Sequence, residues 1–231
     1  MRSSEKIKWS RVRTSLSLED LSRYLKNGSV NESGRGYSDV EVGNGFCTAV
    51  YNERIHNSIV SLDYYGNEFE QEVIEFYSVR FEIIHLVGNA FVLSLINPPK
   101  TLKPFIDFLT EGLNYKVGIS GVELDVRLFL EQLASNEQVS LLKVKKVKVN
   151  SVIISDAAKA TIEMTSSKNA IDELSILLGQ KDFSVDKIKI SCLINNSQTE
   201  MELSKNGIFS SRPEAMGLIK QLLFPQLVHW M

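Results

Sequence analysis

The chain has 231 residues, 43% of them hydrophobic and 23% charged, with a formal net charge of −2. That length allows one large domain or two small ones, and that hydrophobic fraction excludes wholesale disorder. A near-neutral total gives no overall charge that demands a nucleic-acid or membrane partner.

The first residues, Met1 to Arg13, are basic around Trp9 but have no apolar segment behind them, so they are not a secretory leader. They read as a basic arm. Its Arg11 and Arg13 are candidate phosphate contacts beside a stacking Trp9, with docking onto the chain's own acidic region as the other reading. Ser17 then caps a short helix with acids in its first turn and an end at Gly28. From Asn27 to Gly45 five glycines and several acids predict a loop rather than a phosphate cradle, because no strand–glycine–helix context surrounds them.

Strands follow at Phe46–Tyr51 and Ser58–Leu62 with a polar turn between them, then a turn at 63–67. Phe69–Leu86 reads as a long extended stretch, bent or bulged in the middle. Glu68, Glu70 and Glu72 alternate along its start and read as a solvated face. Val79–Leu86 and Ala90–Ile96 form a hairpin across Val87-Gly88-Asn89. A Pro-Pro break, a helix from Thr101 to Gly112 and a strand over Asn114–Ser120 come next.

A helix over Val122–Leu133 leads to a second hairpin, Val147–Ile154 with Lys159–Met164. A helix ending at Gly179 and a strand over Val185–Ile194 complete the run. Corresponding markers of the two runs are separated by 66 to 68 residues, which predicts two related ββαβ units. Thr199–Leu203 pairs back across Asn195-Asn196, and Pro213 opens a last helix. The fold class is therefore α+β, with antiparallel sheets and helices packed on one side. The expected segments are 1–78 (helix, loop and acidic hairpin), 79–134 and 135–231.

Charge is uneven. Residues 1–26 carry seven Lys/Arg and three Asp/Glu, and residues 27–98 carry three against ten. In the later half Lys143, Lys145, Lys146 and Lys148 interrupt one strand, with a break in alternation at Lys145-Lys146 that predicts a bulge in an edge strand. Lys187 and Lys189 alternate in another. If these strands share a sheet, six lysines line one face. Guarding a sheet edge is one role for them, and contact with phosphate backbone the other.

The order of elements from about Val79 to Ser211 resembles that of the RexA phage-exclusion proteins. The points of likeness are the hairpin, the Asn97-Pro98-Pro99 break, the Phe105-Ile106-Asp107-Phe108-Leu109 helix, the second hairpin and Leu203-Ser204-Lys205-Asn206-Gly207. That resemblance implies a dimeric, sequence-tolerant DNA-binding protein of bacterial antiphage defence.

No catalytic signature is present, and His56, His85 and His229 lack metal-ligand spacing, so neither a catalytic residue, a metal nor a cofactor is assigned. Cys47 and Cys192 read as buried, inert thiols of a soluble, reducing, cytoplasmic protein without a membrane segment. The apolar tail Leu227, Val228, Trp230 and Met231 is a candidate oligomer contact. The preferred function is a non-catalytic binding or assembly protein, partnered by another protein or by itself as a homo-oligomer. The alternative partner is nucleic acid.

Overall fold

The computed structural model describes residues 4–179 and 183–228, with side chains to Leu227. The chain is α+β, with antiparallel strand pairs and, among the described residues, five helices. It divides into two compact units. The first is Val12–Ile119, and the second combines Met1–Arg11 with Ser120–Met231. Strand β1 (Glu5–Thr14) contributes to both.

In the first unit, α1 (Leu18–Asn27) starts at a capping box. The Ser17 hydroxyl accepts the Asp20 N–H, and the Asp20 carboxylate accepts the Ser17 N–H. Strands β2 (Gly36–Gly43), β3 (Phe46–Leu62), β4 (Glu68–Val87) and β5 (Ala90–Ile96) then pair in that order. Helix α2 (Lys103–Gly112) carries its proline in the first turn, where no backbone donor is lost. Strand β6 (Val117–Gly121) returns to pair with β1. Leu21 and Leu25 of α1 and Phe105 and Leu109 of α2 bury against Tyr51, Phe81 and Leu93 of the strands. The Phe81 and Phe105 rings lie 4.9 Å apart.

The second unit contains α3 (Val126–Ala134), β7 (Val139–Ser155), β8 (Ala158–Thr165), α4 (Ala170–Leu178), β9 (Ser184–Ile194), β10 (Ser197–Ser204), β11 (Ile208–Ser211) and α5 (Pro213–Val228). Its strands run β8-β7-β9-β10-β11, with Glu5–Lys8 of β1 beside β11. Helix α3 packs on β7 and β9, and α4 on β7 and β8. Asn195 and Asn196 turn the β9–β10 hairpin with positive φ at both residues, the backbone that a two-residue hairpin of this twist requires.

Four expectations are corrected. The basic arm is strand β1, and Trp9 is 0% exposed. Its ring stacks on Phe224 at 4.9 Å and meets the Phe209 ring edge-on at 4.8 Å, so it is unavailable to a base. The alternation of Ile7 and Trp9 with Lys6 and Lys8 is the signal for that strand.

Second, the loop over 27–45 contains β2. There Gly36, at φ 150°, brings the backbone so close to Ser29 that a Cβ would stand 2.6 Å from the Ser29 carbonyl oxygen. Third, the turn placed between Tyr51 and Ser58 is absent. β3 runs unbroken, and its register with β4 holds without a shift from Phe46↔Ile84 to Leu62↔Glu68, so β4 has no bulge in mid-strand against β3. Fourth, β7 is flanked by both β8 and β9 from Lys146 to Asn150 and is not an edge there.

The two strand–strand–helix–strand runs are paired differently. β9 pairs with β7, the first strand of its own run, whereas β6 pairs with β1.

Candidate functional site

Two surfaces stand out, one in each unit. In the second unit the inner positions of β7, Val144, Val147, Val149 and Val152, are buried under the helices. The opposite face carries the lysines. β7 pairs Val144 with Ile190 and Lys146 with Lys189, so Lys145 is the extra residue of a bulge. That bulge keeps Val147 inward and leaves Lys145 and Lys146 both on the outer side. Lys146 lies directly across from Lys189, and Lys148 across from Lys187, while Lys143 pairs with Ser191. All six lysines predicted from the sequence thus come together on one sheet face, and of them Lys143 and Lys145 lie where β7 has no rung with β8.

Carboxylates interleave with them. Lys145 Nζ donates to Glu200 at 2.6 Å, and Lys189 Nζ stands 3.3 Å from the same carboxylate. Lys146 is 2.6 Å from Glu163, and Lys187 is 2.5 Å from Glu202. The hydrogen bond from Lys145 holds the Glu200 carboxyl below its ordinary range, and that from Lys146 does the same for Glu163. These pairs are half-exposed, so solvent screens them and they add little to stability. Lys6 and Lys8 of β1 add to the same face through the rungs Lys6↔Ser210 and Lys8↔Ile208. Among the described residues, eight lysines then face four carboxylates, Glu163, Asp186, Glu200 and Glu202, a surplus of four positive charges. A depression of about 370 Å³ lies on this face among Lys6, Lys148, Lys187, Ser204 and Ser210, with Asp186 and Glu202 also at its wall.

Arg11 and Arg13 are not on these rungs. They continue β1 past its last paired position with β11, Lys8, and Arg13 belongs to the first unit. Of the predicted oligomer contact, Leu227 is buried inside the second unit at 3% exposure. Val228 ends α5, and Trp230 and Met231 lie outside the described residues.

The second surface was not singled out from the sequence as a site. Beyond Asn52 and Ser78, β3 and β4 continue as a two-stranded ribbon with no buried side chain from residue 54 to 76. Its tip is tightly made: Asp63 accepts from the Tyr65 and Asn67 N–H groups at 2.8 Å each. Hydrogen bonds from the Asn67 side chain and backbone lower the Asp63 pKa. One face of the ribbon carries Val60 and Leu62 across from Glu70 and Glu68, then Ile74 and Phe76. Leu62 is 66% exposed, Phe76 78% and, at the tip, Tyr64 96%. The ribbon bears Asp63, Glu68, Glu70, Glu72 and Glu75 against Arg54 alone, a net of −4 with His56 neutral.

At the base of the ribbon, Arg35 Nε donates to the Tyr51 hydroxyl at 3.0 Å, and that hydroxyl donates to Glu53 at 2.9 Å. Arg35 also sits 4.6 Å from the Phe108 ring centre. These contacts tie the loop before β2 to the sheet and leave no nucleophile–base pair.

Both cysteines are buried and unbridged, and burial pushes the Cys47 thiol up to about 11, away from a reactive thiolate. Among the described residues no cluster of His, Cys, Asp or Glu is arranged to hold a metal, and no helix is long and apolar enough to cross a membrane.

No protein-family model matches the chain, and no curated protein matches its sequence.

Proposed function

We propose that this protein is a non-catalytic assembly protein that works inside the cell through protein–protein contacts made by the β3–β4 ribbon. The observation that carries this reading is the ribbon's exposure. A two-stranded hairpin is marginally stable in water by itself, and a row of large apolar side chains on one is the usual mark of a contact surface. Val60, Leu62, Ile74 and Phe76 are all exposed along one face of it, and Ile59 and Phe69 on the other. The test is the mass in solution across a concentration series, for the intact chain and for a variant in which Asn-Gly replaces Ile55–Glu75. Assembly above 26 kDa that disappears in the shortened chain is expected. An intact chain that stays at 26 kDa overturns the reading.

A second reading is sequence-tolerant nucleic-acid binding, favoured by the surplus of four positive charges on the lysine face. The likeness to the RexA proteins points the same way, towards antiphage defence. It predicts a gel shift that weakens steeply with salt and is lost in Lys145→Glu/Lys146→Glu/Lys148→Glu. Absence of a shift at low salt ends it. We further read β4-β5-α2-β6 and β7-β8-α4-β9 as related ββαβ units whose strand pairing has diverged. The 66-to-68-residue spacing of their markers supports that reading.

A further inference from the structure

We infer that the occupant of the ribbon is a second copy of this chain, and that the acidic ribbon of one copy docks on the lysine face of the next. This rests on the assembly reading above and names its partner.

The ribbon carries a net of −4, and the sheet face of the second unit carries a surplus of four lysines. Both surfaces are open to solvent in the single chain. Opposite potentials on two exposed surfaces steer encounter and set register.

Spacing is the second ground. Glu68, Glu70 and Glu72 sit at alternate positions of β4, as do Lys187 and Lys189 on β9 and Lys146 and Lys148 on β7. Alternate residues of any strand repeat at about 6.8 Å, so the carboxylate row and the ammonium rows share one period. A ribbon laid along the face puts each carboxylate within reach of a lysine without distorting either backbone.

Apolar surface is the third ground. Val60 and Leu62 flank the glutamates on the ribbon, and Leu193 and Ile208 are half-buried on the lysine-bearing side of β9 and β11. Burying these supplies the attraction that exposed ion pairs alone lack. The existing pairs of Lys145, Lys146, Lys187 and Lys189 with Glu163, Glu200 and Glu202 are solvent-exposed and exchange at little cost.

The contact is heterologous: a surface of one copy meets a different surface of another. Such contacts build rings or open chains unless two copies exchange ribbons reciprocally.

The test uses three full-length proteins: the natural chain, a ribbon variant (E68K/E70K/E72K) and a face variant (K145E/K146E/K148E). All six positions lie on exposed or half-exposed sites, and thermal unfolding of each variant verifies folding. Sedimentation is expected to show assembly of the natural chain. Each variant alone requires at least roughly tenfold higher concentration to associate. An equimolar mixture of the two variants re-forms a complex, because the face variant keeps a natural ribbon and the ribbon variant keeps a natural face. Association of the natural chain weakens as salt rises.

Variants that assemble as the natural chain does overturn the pairing but leave the assembly reading standing. So does loss of assembly in the ribbon variant alone, which is the signature of ribbon-to-ribbon contact. A mixture that stays unassembled overturns the pairing as well. A natural chain that is monomeric at every concentration overturns both.

Discussion

β3 and β7 are each seventeen residues long, and they use that length in opposite ways. β3 holds one register with β4 from end to end, and its outer half has water on both faces. β7 shifts register three times against β9 and twice against β8, and it is covered by helices on one face along most of its course. The difference shows what bulges are for. A strand with one buried face must return valines to the interior wherever lysines break the alternation, and Lys145 as an unpaired extra residue does that. A ribbon buried on neither face has no inward set to protect, so nothing interrupts its ladder.

The largest expected break in this comparison is Val147→Asp. Val147 is fully buried opposite Ile188, and an unpaired carboxylate there costs at least about 4 kcal/mol and abolishes the unfolding transition of the second unit. The adjacent Lys146→Val, on the outer side of the same strand, should change stability by less than about 1 kcal/mol. Chemical denaturation of the two variants measures how sharply β7 separates its faces.

Next is the boundary within β4. Phe81→Ala removes a buried ring packed on Phe105 and should cost about 3–5 kcal/mol in urea titration. Phe76→Ala, five residues away and exposed, should cost under about 0.5 kcal/mol. Comparable losses at both positions would show that the ribbon is covered in solution even at low concentration.

A smaller effect is expected from shortening the ribbon. Arg54 and Phe76 are direct partners, so Asn-Gly between them closes a two-residue turn. Since no buried side chain is lost, the monomer's stability should fall by under about 1 kcal/mol, read by calorimetry.

The smallest concerns acid. The Glu200 carboxyl titrates below its ordinary range in the folded chain, chiefly through the Lys145 hydrogen bond. Its contribution is therefore complete at neutral pH and fades as pH falls from the usual glutamate value through the lowered one. Glu200→Gln should flatten that acid limb of the stability curve while changing neutral-pH stability by no more than about 1 kcal/mol. Urea midpoints between pH 7 and pH 3 check both.

Much of the fold was legible because local rules agreed with it. Ser17 and Gly28 bound α1, Gly88-Asn89 and Asn195-Asn196 turn hairpins, and Gly179 ends α4. The bulge at Lys145 was legible from the broken alternation alone. β1 and β2 were hidden by composition, since basic residues around Trp9 and glycines around Tyr37 look like surface chain. The continuity of β3 was hidden because a ribbon wet on both faces has no hydrophobic period to read.

By itself the sequence determined the α+β class, the inert thiols' apolar surroundings and the presence of two lysine-bearing strands, because each depends on side chains within one short segment. Only the tertiary structure decided that those strands are neighbours with lysines in register, that carboxylates from β8 and β10 sit among them, and that Trp9 is interior. It alone showed that the acidic stretch after Asp63 belongs to an uncovered ribbon. Those facts depend on which strands meet, and cross-strand neighbours far apart in the chain leave no trace in local order.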